Sequence, residues 1–148
     1  MSASFDHSAS NLSIPATTVI PVLHYPDVPA AVVWLCGAFG FSERLRIGTH
    51  RVQLNVGSGA VVVAEAAQPS GAASTPSGHS IMIRVHDIDR HYAHARLAGA
   101  RLPDEPVTHP YGERQYTAID PAGHAWTFSQ TVANIDPASW GGILVGQE

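Results

Sequence analysis

The alternation of apolar and polar positions predicts a strand, then a helix, then three short strands. Residues 17–25 are β-branched and aromatic, which is typical of a strand. Asp27 is the predicted N-cap of a helix that Gly40 ends. Its apolar residues recur at helical spacing and are Val28, Ala31, Val32, Leu35 and Phe39. Short strands are expected near 43–47, 51–56 and 60–65.

The same order of elements is predicted again in the second half of the chain. Residues 80–86 form a strand pattern, and Asp87 is the N-cap of a second helix that closes at Gly99. The sequence Asp-Pro-Ala-Gly at 120–123 favours a turn before a last strand at 124–130. We therefore expect an α+β fold of two tandem βαβββ modules. They would form a curved mixed sheet around a cleft, with the helices on its outer face.

The composition of the remaining segments predicts how the modules are bounded. Residues 1–16 are rich in Ser and Ala and lack periodicity, so a disordered N-terminal tail is expected. The first module is predicted at 17–67 and the second at 79–130. The segment 68–78 is rich in Ser, Pro, Gly and Ala and is a predicted linker. Residues 131–148 form a C-terminal tail outside the repeat.

Charge and hydropathy exclude several classes of partner. The net charge is −4 with His neutral, and there is no run of Lys or Arg, which argues against nucleic acid or an anionic membrane as a partner. No segment reaches the apolar length that a membrane span needs, and the N-terminus lacks a signal-peptide pattern, so a cytoplasmic location is expected. The single cysteine, Cys36, lies on the apolar helix and is expected to be buried rather than nucleophilic.

Three segments together resemble the vicinal oxygen chelate (glyoxalase/bleomycin-resistance/dioxygenase) superfamily. The first segment is PVLHYPD at 21–27, followed by a helix that ends in AFGF. The second is VHDID at 85–89, and the third pairs YGER at 111–114 with DPAGHAW at 120–126. The third is especially similar to the PhnB-like branch. The resemblance covers about residues 17–137 and implies a paired-module fold and a homodimer, but no single activity.

The resemblance also implies where a divalent metal ion would be held. Metal-dependent members take one ligand from the first and one from the last strand of each module. Counting from the helix caps and from the two glycines before the last strands, the corresponding positions are Ile20, Val63, Ser80 and Thr127. None of these is a strong metal ligand, so no metal or other cofactor is expected. His79 with Glu65 is the alternative site for one divalent ion, if the register differs.

Strand alternation predicts the wall of the cleft. The residues predicted to face it are Ile20, Val22 and His24, then Val61, Val63 and Glu65, then Ser80, Met82 and Arg84, and finally Ala125, Thr127 and Ser129. Tyr111 and His109 lie on a loop that could form a lid, and either Arg114 or Tyr116 could reach a ligand. The alternatives for the polar groups are structural: His24 as a strand-end residue, and Arg84 paired with Glu65. The candidate ligand-binding residues are His24, Val22, Val63, Glu65, Met82, Arg84, Tyr111, Arg114 and Thr127.

Two functions compete for this cleft. The first is a metal-free protein that binds a small amphipathic or aromatic molecule, as a cleft with apolar walls and few polar groups favours. The alternative is a metal-dependent lyase or extradiol-type dioxygenase. A minor third hypothesis is metal-independent acid/base catalysis by His24 with Glu65.

Overall fold

The computed structural model describes residues 11–66 and 79–144. The chain divides into two compact units, at 1–71 and 72–148. The first contains β1 (Val22–Tyr25), α1 (Val28–Phe39), β2 (Ser42–Ile47), β3 (Arg51–Val56) and β4 (Gly59–Glu65). The second contains β5 (Ile81–Arg84), α2 (Ile88–Leu97), β6 (Val107–Thr108), β7 (Glu113–Ile119), β8 (Ala125–Thr131) and a 3₁₀ helix (Pro137–Trp140).

Each unit has its own four-stranded mixed sheet, and the two sheets have equivalent strand orders. The orders are β1-β4-β3-β2 and β5-β8-β7-β6. The first and last strands of each module are parallel neighbours at one side of the sheet, and the other pairs are antiparallel. The predicted α+β class and the two βαβββ modules are confirmed.

Matching caps begin the two helices, as the sequence predicted. The Asp27 carboxylate accepts a hydrogen bond from the N–H of Ala30 at 3.1 Å, and the Asp87 carboxylate accepts one from Arg90 at 3.2 Å. Each bond satisfies a backbone donor that has no partner inside its helix. Gly40 ends α1 with a φ of +78°, a conformation that favours glycine. These caps therefore fix where each helix leaves its sheet.

One face of each sheet packs on the helix of its own module. In the first module the alternating residues Leu23 and Val63 are buried on this side, together with Leu35 of α1. In the second, Trp126 and Phe128 of β8 are fully buried and share a side with Ile83 of β5. Burial of such apolar side chains contributes about 1.5–3 kcal/mol each. The face of each sheet that lies opposite its helix is called the open face.

The structure corrects the predictions for the N-terminal segment and for the bounds of the first strand of each module. β1 begins at Val22 rather than at residue 17, and β5 spans 81–84 rather than 80–86. Residues 11–16, predicted as disordered, form hydrogen bonds with the first module. The predicted linker at 68–78 and residues 1–10, 67 and 145–148 lie outside the described residues. Among residues 11–66 and 79–144, no helix has the length and apolar character needed to cross a bilayer.

Candidate ligand-binding groove on the second module

The face of the second sheet that lies opposite α2 carries a row of polar side chains. Cross-strand partners point to the same side of a sheet. Arg84 pairs with Ser129, which pairs in turn with Gln115. Met82 and Thr127 pair in the same way and therefore share this side. The alternate residues of β8 belong to the core, so this row forms the open face of the module.

Hydrogen bonds join this row into a network around a carboxylate. Ser129 Oγ donates to Glu113 Oε1 at 2.6 Å, and Gln115 Nε2 donates to Ser129 Oγ at 3.1 Å. Arg84 Nη1 donates to Thr131 Oγ1 at 2.7 Å. The bond from Ser129, and after it the bond from Thr131 and the charge of Arg84, hold the pKa of Glu113 below its usual value. The network therefore presents an ionised carboxylate beside a guanidinium at neutral pH.

A groove of about 650 Å³ adjoins this row. The hydroxyls of Thr117 and Thr127 lie 2.8 Å apart within its wall. The other wall is the segment before and including β6, which is rich in proline and carries two carboxylates. The lining residues are Pro103, Asp104, Glu105, Pro106, Val107, His109, Gln115, Tyr116, Thr117 and Thr127. Because small-molecule pockets are commonly about 300–1,000 Å³, this groove has room for a drug-sized molecule.

His109 of the groove lining belongs to a cluster of aromatic rings. The rings of His109 and Tyr111 are parallel within 4° and their centroids are 5.0 Å apart. Trp140 of the 3₁₀ helix packs edge-on against Tyr111 at 5.6 Å. The Tyr111 hydroxyl donates to Gln115 Oε1 at 3.4 Å. Tyr111 thus connects the aromatic stack to the polar row.

The segment after β8 returns to the loop that carries Tyr111. The N–H groups of Val132 and Ala133 both donate to the Gly112 carbonyl oxygen, at 2.9 and 3.2 Å. Gly112 has a φ of +86°, and a Cβ at this position would lie 2.1 Å from the Ala133 carbonyl oxygen. Glycine is therefore required where the returning chain crosses the loop.

Three of the predicted residues, Met82, Arg84 and Thr127, share the open face of the second module, and Tyr111 adjoins it. Arg84 donates a hydrogen bond to Thr131, and its positive charge helps to lower the pKa of Glu113. The alternation that was predicted for β5 and β8 therefore agrees with the register.

The register places Arg114 and Tyr116, either of which was predicted to reach a ligand, on the opposite side of the sheet from Gln115 and Thr117. Arg114 pairs with Gln130, whose side chain accepts a hydrogen bond from the N–H of Ile88 at the start of α2. The Arg114 guanidinium donates to Asp89 of α2 at 3.0 Å. Tyr116 is buried in contact with the rings of α2 and β8, and this burial raises the pKa of its hydroxyl. Both residues point to the helix side of the sheet.

The sequence prediction missed Glu113, Gln115 and Thr117, which do point to the open face. The signal was present in the alternation of β7. Tyr116 and Ala118 are the buried positions of this strand, and both are apolar. Because successive strand residues point to opposite sides, the polar residues between and before them belong to the open face.

In the first module, three predicted cleft residues lie on the side of the sheet that packs on α1. The register pairs Val22 with Val62 and His24 with Ala64, so these four residues share the open face. Val63 instead pairs with Leu23, and Glu65 with Tyr25, on the side that packs on α1. The predicted positions of Val63 and Glu65 are therefore corrected, and so is that of Val61. His24 and Glu65 point to opposite sides and do not form an acid/base pair.

The sequence profile of the Glyoxalase/Bleomycin resistance protein/Dioxygenase superfamily matches residues 17–128. The chain belongs to this superfamily. A search of curated proteins gave no match. The match covers the first βαβββ module and the second as far as the middle of β8, and leaves the segment at 11–16 outside.

Several solved structures resemble the chain over most of its length. TioX from Micromonospora sp. ML1 is 33% identical, with 78% of this chain and 98% of TioX covered and a TM-score of 0.66. A glyoxalase/bleomycin resistance protein/dioxygenase from Nocardioides is 20% identical, with coverages of 87% and 89% and a TM-score of 0.63. The fosfomycin resistance protein FosX from Listeria monocytogenes is 12% identical, with coverages of 77% and 92% and a TM-score of 0.62. The last two likenesses show the fold alone.

The metal-ligand positions implied by the superfamily carry poor ligands in this chain. The register makes Val62, rather than Val63, the counterpart of Thr127. Val62 has no ligand atom in its side chain and the Thr127 hydroxyl is a weak ligand, and within residues 11–66 and 79–144 no three His, Cys, Asp or Glu side chains are grouped so that they could hold a metal ion. His79 lies before the start of β5 and beside His124, with ring centroids 6.5 Å apart. Of the two alternative donors, Glu65 pairs with Tyr25 and so lies off the open face of its sheet.

Proposed function

We propose that this chain binds a small amphipathic or aromatic organic molecule in the groove of the second module, without a metal ion. The observation that carries the proposal is the groove of about 650 Å³ beside the hydrogen-bonded row Arg84–Ser129–Gln115. A concave surface with few, fixed polar groups is the common form of a small-molecule site. Superfamily membership supports the same function.

The two walls of the groove offer different contacts to such a molecule. Pro103, Pro106 and Val107 supply apolar surface on one side. Thr117 and Thr127 supply hydroxyls on the other, and their mutual hydrogen bond holds both side chains in place. A ligand with an apolar body and a polar edge therefore has a matching contact on each wall.

The donor residues support the metal-free part of the proposal. The open-face positions of β5 and β8 are Met82 and Arg84, then Thr127 and Ser129, and a guanidinium repels a divalent cation. Elemental analysis of the purified chain tests this part. We expect no stoichiometric divalent metal, and metal binding at one ion per chain would favour the lyase or dioxygenase alternative.

Nile red, a neutral aromatic dye that fluoresces in apolar surroundings, tests binding in the groove. A Thr127→Phe substitution adds a ring to the groove wall and should weaken dye binding at least about tenfold, because a filled pocket loses its contacts. Ser58→Phe is the matched control, because it adds the same ring to an exposed turn of the first module. Equal affinities in all three proteins would contradict the proposed site.

The finer parts of the proposal are the homodimer and the PhnB-like branch. Both follow from the sequence segments that resemble the superfamily. Sedimentation analysis of the full chain tests the dimer, and a mass of one chain at micromolar concentration would contradict it.

A further inference from the structure

The segment at 11–16 lies on the open face of the first module. Gln53 in β3 is only 4% exposed, and its side-chain Nε2 donates to the Ser13 carbonyl oxygen at 2.8 Å. Arg44 Nη2 donates to the Leu12 carbonyl oxygen at 3.0 Å, and Arg44 Nη1 donates to Gln53 Oε1. Two consecutive carbonyl groups of the segment are therefore bound by two side chains of the sheet.

A local turn holds the segment in this position. The Asn11 side chain accepts a hydrogen bond from the N–H of Ser13 at 2.9 Å, and the Asn11 carbonyl accepts one from Ile14 at 3.2 Å. Pro15 is buried at the end of the segment. The turn presents the carbonyl groups of residues 12 and 13 to Arg44 and Gln53, in the manner of a bound peptide.

The internal repeat relates this contact to the groove of the second module. Val22 pairs with Val62 and Gln53 pairs with Val62, just as the second module pairs Met82 with Thr127 and Thr117 with Thr127. Gln53 is therefore the counterpart of Thr117, which lines the groove. On the first module, the position that corresponds to the groove is taken by the chain's own residues.

The side chains under the segment are suited to an acidic ligand. A guanidinium binds a carboxylate more strongly than a peptide carbonyl, because the bond is charge-assisted and can be bidentate. Arg51 pairs with Ala64 and so points to the same side of the sheet as Gln53. Glu43 points to the other side, where it forms an ion pair with Arg46 at 2.7 Å. Arg44 and Arg51 therefore give this face a positive charge.

We propose that residues 11–16 are a built-in occupant of a second binding site, and that Arg44 and Gln53 bind a small carboxylate-bearing molecule when the segment is displaced. The comparison with the groove rests on the proposed function of the second module. The hydrogen bonds from Arg44 and Gln53 to residues 12 and 13 do not depend on that proposal. Ligand access to the first module then depends on displacement of the segment.

Benzoate is the probe for this site, and benzamide is its neutral counterpart. In the full chain, the double substitution Asn11→Ala/Pro15→Gly weakens the turn and the buried contact without a change in the sheet. Calorimetric titration should show that benzoate binds this variant at least about tenfold more tightly than the parent chain. The reason is that benzoate no longer competes with the segment for the hydrogen bonds of the Arg44 guanidinium. Benzamide should gain much less. Thr18→Gly, at an exposed position near the segment, is the control and should leave benzoate affinity unchanged.

A second variant lacks residues 1–16 and should show the same gain, with circular dichroism as the test of its fold. Arg44→Met placed in either displaced variant should abolish the gain, whereas Arg46→Met should not, because Arg46 pairs with Glu43. Unchanged benzoate affinity in the double variant, or a gain that survives Arg44→Met, would overturn the proposal. Thr127→Phe should not affect benzoate binding, which separates this site from the groove.

Discussion

The indole N–H of Trp126 donates a hydrogen bond to the Asp120 carboxylate at 3.0 Å, and both side chains are buried. The other carboxylate oxygen accepts from the N–H groups of Ala122 and His124 at 3.0 and 2.9 Å. Asp120 therefore shapes the turn between β7 and β8 and fixes the largest core side chain at once. The DPAGHAW segment that resembles the superfamily therefore contributes to the core. Trp126 packs inside the module and is not exposed for stacking on a ligand.

Asp120→Ala removes the two carboxylate oxygens that accept from the Trp126 indole and from the N–H groups of Ala122 and His124. We expect the free energy of unfolding to fall by about 3 kcal/mol, since a lost hydrogen bond to a charged group and an unsatisfied buried donor both contribute. Urea denaturation of the purified variant measures the change. Asp136→Ala is the control, because Asp136 caps the exposed 3₁₀ helix through Ala138, and its cost should be below about 1 kcal/mol. Equal losses would show that the cluster around Trp126 has no special role.

Gly112→Ala tests the contact between the returning chain and the loop of Tyr111. The new Cβ would lie 2.1 Å from the Ala133 carbonyl oxygen, and the backbone has a φ of +86°. We expect a loss of about 2 kcal/mol or more in unfolding free energy, together with faster proteolysis in the segment after β8. Gly57→Ala is the matched control, since its φ is +56° and a Cβ there meets no atom within 4 Å. Its cost should be limited to the backbone strain, about 1 kcal/mol.

Glu113→Gln tests the ionised carboxylate of the polar row. The folded pKa of Glu113 lies below the ordinary value of 4.5, so its charge stabilises the fold fully above about pH 4.5 and loses this effect as the pH falls through the folded value. The variant should therefore melt at a lower temperature than the parent at pH 7, and the difference should shrink toward pH 3. Thermal melts of both proteins between pH 7 and pH 3 measure this difference in melting temperature. A difference that stays constant with pH would mean that the charge is not involved.

The helices could be predicted closely because their signals are local. Asp27 and Asp87 act as caps through their own side chains within three residues, so no distant part of the chain is needed to place them. The bonds of residues 12 and 13 are different in kind. Their partners, Arg44 and Gln53, lie 32 and 40 residues away, and composition alone predicted disorder.

The error at Val63 has a geometrical cause. Val62 is three residues after Gly59, whereas its counterpart Thr127 is four residues after Gly123. Gly59 is already the first residue of β4 and pairs with Val56, but Gly123 belongs to the turn that Asp120 organises and precedes the first residue of β8. Counting from the glycine therefore shifted the first module by one residue. In a strand, one residue changes the face, which is why Val63 and Glu65 were misplaced while Met82 and Arg84 were not.

The two arginines that were predicted as ligand contacts should respond differently to substitution. Arg84 shares the open face with Glu113 and helps to lower its pKa, whereas Arg114 points to α2 and pairs with Asp89. Arg84→Met should raise the pKa of Glu113, as measured by the pH titration of its side-chain carboxyl ¹³C resonance. Arg114→Met should leave that pKa unchanged and cost less than about 1 kcal/mol of stability, because its ion pair is partly exposed to solvent. An equal shift of the Glu113 pKa in both variants would place the two guanidinium groups on the same side of the sheet and contradict the register on which the site is built.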